Sequence, residues 1–179
     1  MHMKKTVLTF GLISGAVSSV MMLGTIPFMH QIGFDHGLVV GYTAIVLSFL
    51  LVFFGIRSYR EQSGGAITFT RGFQVGILIT LVSCVFYIAT WQLIYFKLQP
   101  DFMDKWETYA VEKARAEGAA PEKIDATRRQ MREFKAAYDN PVTNAAYTFL
   151  EPFPVGLLVT LISAGVLRRK PAAAAVSGR

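Results

Sequence analysis

The feature that most constrains this chain is a set of four long apolar stretches with no charged residue near their middles. Each contains about 19–24 residues, enough to cross a hydrocarbon core about 30 Å thick as a helix. Hydrophobic residues make up 53% of the chain, above the roughly 45–50% of soluble domains. The sequence therefore predicts a single all-α, polytopic membrane domain with four transmembrane helices, at about residues 6–29, 37–56, 72–96 and 145–167.

The first stretch also has the ingredients of a secretory signal peptide, because Lys4 and Lys5 precede an apolar run with small residues at positions 14–19. A signal core is usually about 7–15 residues long, and this run is longer. We therefore expect it to remain as a transmembrane helix. The low-complexity residues 171–179 are expected to form a disordered cytoplasmic tail.

The segment between the third and fourth stretches, residues 97–144, is highly charged but neutral overall, with nine basic and nine acidic residues. Two helices are predicted within it, at about residues 101–117 and 121–138, and Pro121 suits the first turn of the second. Its apolar residues recur on one face, as in an amphipathic helix. We expect an extracytoplasmic helical hairpin, which could either pack on the bundle and lipid headgroups or bind a partner.

The distribution of basic residues predicts the orientation, because short loops rich in Lys and Arg stay in the cytoplasm. The short loop at residues 30–36 contains neither. We therefore predict a multi-pass membrane protein with both termini in the cytoplasm. The basic residues that share the side of the termini are Lys4, Lys5, Arg57, Arg60, Arg71, Arg168, Arg169, Lys170 and Arg179, against a single acid, Glu61.

Small residues four positions apart form a ridge on every predicted span, which allows helix backbones to approach closely in lipid. Two interpretations remain open: the ridges pack the four helices together, or the longest ridge, from Gly72 to Cys84, faces a second protomer. The glycines predicted to pack helices are Gly11, Gly15, Gly72, Gly76 and Gly156.

Two groups of polar residues are candidates for function. Arg57, Arg60 and Arg71 could hold an anionic lipid headgroup or a partner protein, although they could serve topology alone. Glu151 stands beside a proline that should break the fourth helix, and with Tyr87 and Gln92 it could form a polar pathway. A structural cap is the other interpretation of Glu151.

The sequence lacks the patterns that chemistry usually needs. It has one cysteine and three histidines without metal-ligand spacing, and no nucleophile beside a base or phosphate-binding loop. No charge lies near the middle of a span, which argues against an ion-coupled carrier. We therefore predict no enzymatic activity, no metal, no cofactor and no nucleic-acid partner.

Several short runs resemble the DUF4199 family of uncharacterised bacterial membrane proteins. They are FGIRSYR at residues 54–60, GGAITF at 64–69 followed by RGF at 71–73 and Gly76, and PVGL at 154–157 followed by LISA at 161–164. The resemblance implies a four-span bacterial inner-membrane protein. It implies neither a reaction nor catalytic residues.

The leading functional hypothesis is a non-enzymatic membrane protein, an oligomeric or accessory subunit that contacts membrane lipids, copies of itself or other membrane proteins. It depends on the absence of charge inside the spans and on the abundant packing ridges. The alternative is a small transporter or channel with Glu151 near its outer mouth. A hydrated cavity beside Glu151 would favour this alternative.

Overall fold

The structure, a computed structural model, describes residues 2–169, without the side chains of His2 and His30; the predicted tail lies outside the described residues. The described chain is helical throughout, and its only β-type pairing is one isolated bridge. A 3₁₀ turn (Ile26–Phe28) and a π-helical turn (Ile94–Leu98) complete the elements. The helices are α1 (His2–Thr25), α2 (Met29–Gln62), α3 (Phe69–Leu93), α4 (Phe102–Ala116), α5 (Pro121–Tyr138), α6 (Pro141–Leu150) and α7 (Pro152–Leu167).

Four segments are long and apolar enough to cross a membrane, as the sequence predicts: Met3–Phe28, Gln31–Gln62, Phe69–Leu98 and Pro141–Leu167. Their outward faces remain apolar. Val20 and Val166, for example, are each 69% exposed. Exposing such a surface to water is unfavourable in free energy, whereas contact with lipid is not. The fold is therefore that of a membrane protein.

The bundle is organised around α3, which packs against α1, α2 and α7, while α2 also packs against α1 and α7. Its centre is an apolar cluster in which Val52 and Ile56 of α2 meet Val75 and Ile79 of α3, all fully buried. Lipid is as apolar as these side chains, so dispersion contacts and close packing hold such a bundle together.

Glycines allow α1 to approach α3. A Cβ atom on Gly11 would lie 2.8 Å from Val82, and one on Gly15 would lie 2.6 Å from the ring of Phe86. These distances are too short for carbon atoms, so only glycine fits at either position without a shift of the neighbour.

The ridge on α3 meets a second ridge on α7. A Cβ atom on Gly76 would lie 2.7 Å from Thr160, one on Gly156 would lie 2.4 Å from Thr80, and Gly72 faces Ala164 at 3.3 Å. The ridge that includes Gly72 and Gly76 thus packs inside this chain. By contrast, no atom of the described residues lies within 4 Å of a Cβ atom on Gly37 or Gly41.

The connection between α1 and α2 differs from the expected loop at residues 30–36. The chain turns at Ile26–Phe28 and is helical from Met29, interrupted only at Gly33, whose φ of 67° and ψ of 169° are not helical. Glycine alone adopts a positive φ without steric cost. The straight part of α2 therefore starts directly after Gly33, and Phe34 and Asp35 belong to its first turn.

The fourth span is broken where the prolines predict it. Helix α6 starts at Pro141, capped by the Asn140 side chain, which accepts from the backbone N–H groups of Val142 (2.9 Å) and Thr143 (3.2 Å). It ends at Leu150, and α7 begins at Pro152. Because proline lacks a backbone N–H, it suits the first turn of a new helix.

Helices α4 and α5 form a hairpin across Gly118, whose φ is 74°. Glu107 of α4 contacts two arginines of α5, with its Oε1 3.3 Å from Nε of Arg132 and 3.9 Å from Nε of Arg128. These exposed pairs add little stability individually. We call the bundle end that carries this hairpin the hairpin end and the opposite end the basic end.

Candidate functional site

The basic end is closed by a clasp between the α2–α3 turn and the end of α7. Ile67 and Arg169 exchange two backbone hydrogen bonds, of 3.1 and 2.9 Å. Arg60 adds a donor by binding the carbonyl oxygen of Leu167 with Nη1 at 3.3 Å. Ile67 and Leu167 are both buried, so the clasp fixes the turn on the core.

This clasp brings together arginines that the sequence separates by about a hundred positions. Arg57 pairs with Glu61, Nε to Oε1 at 2.9 Å, and both side chains are more than half exposed. Arg71 stands in the first turn of α3, where its Nη1 lies 3.4 Å from Oε1 of Gln74. Arg57, Arg60 and Arg71 therefore share one end of the bundle, and Arg169 adjoins them.

At the hairpin end, aromatic side chains dock α5 onto α3. The Trp91 Nε1–H donates to the Tyr138 hydroxyl at 2.8 Å, and the rings of Tyr95 and Tyr138 meet edge to face at 5.2 Å. Tyr95 also donates to Oδ1 of Asp139 at 2.6 Å. This hydrogen bond, helped by Lys135, holds the pKa of the Asp139 carboxyl below its usual range.

A second contact joins α4 to the start of α2. The ring of Phe34 lies between 5.1 and 5.8 Å from the rings of Phe102, Trp106 and Tyr109. Beside it, Asp35 accepts from Tyr109 and from Lys113, the latter at 2.8 Å. Hydrogen bonding to Asp35 raises the pKa of Lys113.

Sequence reasoning missed this second contact. Phe34 and Asp35 are in a short segment without periodicity, and their partners lie more than sixty positions away. The only local signal was an aromatic residue followed by an acid in an otherwise uncharged loop. Nothing in that pattern identifies α4 as the partner.

The residues of the predicted polar pathway do not all meet. The Tyr87 hydroxyl donates to Oε2 of Glu151 at 2.9 Å. Gln92, in contrast, donates from Nε2 to the carbonyl oxygen of Pro141 at 2.7 Å. The structure therefore joins Tyr87 and Glu151, while Gln92 ties the start of α6 to α3.

The cavity beside Tyr87 is small, at about 10 Å³. Such a space holds at most one water molecule. Glu151 is exposed on the side of the bundle and does not line it. The residues that line the cavity are Ser18, Ile45, Ser48, Phe49, Ser83, Tyr87 and Pro152.

A buried polar face of α6 was also missed from the sequence. Asn144 is fully buried, and its Nδ2 has no hydrogen-bond partner within residues 2–169. Its Oδ1 lies 3.5 Å from the hydroxyl of Thr148, which is 3.3 Å from the Tyr138 hydroxyl. The spacing of Asn144, Thr148 and Glu151 at i, i+4 and i+7 was the signal that could have revealed this face.

The candidate residues offer charge and hydrogen bonding. Across the described part of the chain, no three His, Cys, Asp or Glu side chains are grouped to hold a metal ion. Cys84 is buried in the core cluster. The groups that can meet a ligand are the guanidinium groups of the basic end and the exposed carboxylate of Glu151.

Comparison with known proteins identifies one match that covers most of the chain. The family model described as "Protein of unknown function (DUF4199)" matches residues 9–169. This match confirms the resemblance of the sequence to that family. No curated protein and no solved structure matches the chain.

Proposed function

This chain belongs to the DUF4199 family, and we propose that it is a non-enzymatic accessory or scaffold protein of a bacterial inner membrane. Both termini face the cytoplasm, and the hairpin α4–α5 lies outside. The basic end binds the headgroups of anionic lipids or an acidic surface of a partner protein. The protein assembles with copies of itself or with other membrane proteins.

The observation that carries this proposal is the clasp between Ile67 and Arg169. It holds the ends of α2 and α7 and the start of α3 together, so their arginines present charge on one surface. A basic cluster next to a membrane attracts anionic lipid with about 1 kcal/mol per Lys or Arg. The described basic residues at this end are Lys4, Lys5, Arg57, Arg60, Arg71, Arg168 and Arg169, with Glu61 as the acid among them.

The charge distribution supports the orientation. Basic residues flank the ends of α1, α2, α3 and α7 at the basic end, whereas the connection between α1 and α2 contains neither Lys nor Arg. Retention of Lys and Arg in the cytoplasm places the basic end inside. Long charged segments such as the hairpin cross the membrane largely regardless of their charge.

The test compares lipid binding by two triple variants in native mass spectrometry from mild detergent. Arg57→Gln, Arg60→Gln and Arg71→Gln remove three charges from the basic end but keep amide donors. We expect the affinity for phosphatidylglycerol to fall about tenfold or more. The control variant, Arg115→Gln, Lys123→Gln and Arg129→Gln, removes three exposed charges from the hairpin and should leave that affinity unchanged.

Equal lipid affinity of the two triple variants and the unaltered protein would contradict the lipid part of this proposal. The same spectra give the number of protomers in the complex. Substitution of Gly72 or Gly76 does not report selectively on self-association, because both glycines pack against α7 of the same chain.

The alternative, a transporter or channel, draws support from the contact between Tyr87 and Glu151 at the break in the fourth span. Its weakness is the size of the cavity beside Tyr87, which at about 10 Å³ is too small for a solute. Uptake of a solute by liposomes that contain the purified protein, abolished by Glu151→Gln, would favour the transporter.

A further inference from the structure

The break in the fourth span leaves a carboxylate on the side of the bundle. Helix α6 packs against α3, whereas α7 packs against both α2 and α3. Glu151 stands at the junction of α6 and α7 and is exposed there. Its side chain is thus reached from the surrounding bilayer rather than from the interior of the bundle.

The depth of Glu151 follows from the length of α7. Glu151 lies sixteen positions before Leu167, which is at the basic end. At a rise of 1.5 Å per residue, the helix between them is about 24 Å long. The hydrocarbon core is about 30 Å thick. Glu151 therefore lies several ångströms below the surface of the leaflet on the hairpin side, where an unpaired charge is costly.

Only one oxygen of the Glu151 carboxylate has a hydrogen-bond partner among the described residues. Tyr87 donates to Oε2, while Oε1 accepts no hydrogen bond from the described residues. None of the ion pairs within residues 2–169 includes Glu151. Oε1 therefore has no hydrogen-bond partner, and the carboxylate no ion-pair partner, among the described residues.

The side chains around Glu151 suit a lipid. Ile45 and Ser48 of α2 line the small cavity together with Tyr87 and Pro152, the residue after Glu151. Tyr42, one turn before Ile45, is 47% exposed. It also belongs to a shallow, mainly apolar groove along α2. The residues that line this groove are Leu38, Val39, Tyr42, Thr43, Val46 and Leu47.

We propose that Glu151 binds the primary ammonium group of an ethanolamine phospholipid from the leaflet on the hairpin side, with an acyl chain along the α2 groove. The ammonium group donates a charge-assisted hydrogen bond to Oε1, while Tyr87 holds Oε2. A trimethylated choline headgroup has no N–H to donate, and an anionic headgroup is repelled. The site therefore selects for a lipid with a primary amine.

A lipid fits this site better than a soluble amine. The cavity behind Tyr87 is too small to admit a solute. The exposed side of Glu151 faces the bilayer, where the groove on α2 offers apolar contact only to a molecule with acyl chains. The proposal is independent of the basic end, which lies on the opposite side of the membrane.

The test is native mass spectrometry of the full chain in mild detergent, titrated with phosphatidylethanolamine or with phosphatidylcholine of identical acyl chains. We expect one ethanolamine lipid to be retained about tenfold more tightly than the choline lipid, as one charge-assisted hydrogen bond requires. Glu151→Gln should abolish this preference, and Tyr87→Phe should weaken it. Glu61→Gln, which removes an exposed carboxylate from the basic end, is the matched control and should leave it intact.

Equal retention of the two lipids by the unaltered protein would overturn the proposal without any variant, so it stays testable even if Glu151→Gln fails to fold. Displacement of the retained lipid by soluble phosphoethanolamine at millimolar concentration would also overturn it, because the headgroup alone would then suffice. The Arg57→Gln, Arg60→Gln and Arg71→Gln variant should keep the ethanolamine preference. Its loss in that variant would mean that the lipid binds at the basic end instead.

Discussion

Single glycines determine how closely the helices of this bundle approach one another. Gly76 and Gly156 on α3 and α7 each lie where a Cβ atom would come within 2.7 Å of a threonine on the facing helix. Gly41 on α2 has the same i, i+4 spacing to a neighbouring glycine, but a Cβ atom there would meet no described residue within 4 Å. The same spacing therefore marks a helix contact at Gly76 and no contact with a described residue at Gly41.

Gly76→Leu should destabilise the protein by about 1–3 kcal/mol, because overpacking forces side chains and backbone to shift. The new side chain would meet Thr160 and Ile56, at 2.7 and 2.9 Å from its Cβ atom. Thermal unfolding in detergent, followed by circular dichroism, measures the change.

Gly41→Leu is the matched control for this substitution, since it adds the same side chain to an open helix face. It should leave stability unchanged or raise it by up to about 1 kcal/mol, because leucine has the higher helix propensity. Equal destabilisation by the two substitutions would contradict the packing observed between α3 and α7.

At the scale of elements, the hairpin α4–α5 is attached to the bundle at two points of different character. The contact with α3 is aromatic and partly buried, through Trp91, Tyr95 and Tyr138. The contact with α2 combines the Phe34 ring with the ion pair between Asp35 and Lys113. The side chains of this pair are 61% and 50% exposed, so solvent screens much of their attraction.

Phe34→Ala should release α4 from α2, because Phe34 is the ring that contacts three aromatic side chains of that helix. Hydrogen–deuterium exchange with mass spectrometry should show faster uptake across residues 102–116. Lys113→Gln should change this uptake little, since exposed ion pairs contribute about 0–1 kcal/mol. If the lysine substitution loosened α4 as much as Phe34→Ala, the attachment would be ionic rather than aromatic.

At the scale of the whole molecule, charge and hydrophobicity divide the protein into three zones. A belt of exposed apolar side chains separates the basic end from the charge-balanced hairpin. This order is that of a membrane protein, and the basic residues at one end support our proposal that this end faces the cytoplasm.

Cysteine labelling in intact cells tests the proposed orientation. Glu117→Cys, in the exposed turn of the hairpin, should react with a membrane-impermeant maleimide, while Ser63→Cys at the basic end should react only after permeabilisation. The native Cys84 is buried and should remain unlabelled in both. If only Ser63→Cys were labelled in intact cells, the basic end would lie outside the cytoplasm, and the proposed orientation would be wrong.

Particular elements show how much the sequence could predict. The four spans, the break at Pro152 and the two helices around Gly118 all follow from local composition, and the structure has helices at these places. The segment at residues 30–36 was expected to be a loop, yet most of it is helical. Residues 30–36 are mostly polar and contain no proline. Their composition therefore does not show that the chain is helical on both sides of Gly33.

The candidate site was predicted only in part. Glu151 was singled out by its chemistry, whereas its pairing with Tyr87 and the separate role of Gln92 depend on how α6 lies against α3. Asn144 was missed, although its spacing to Thr148 and Glu151, at i+4 and i+7, was a signal for a polar face.

The sequence by itself determined the class of protein, the spans and the distribution of charge, because crossing a membrane requires a continuous apolar run that is visible in any one segment. Only the tertiary structure decided that the Gly76 ridge faces α7, that Phe34 contacts α4 and that the Glu151 side chain is exposed. These contacts join residues tens of positions apart, and their geometry depends on how the helices pack. The local sequence pattern contains no information on that packing.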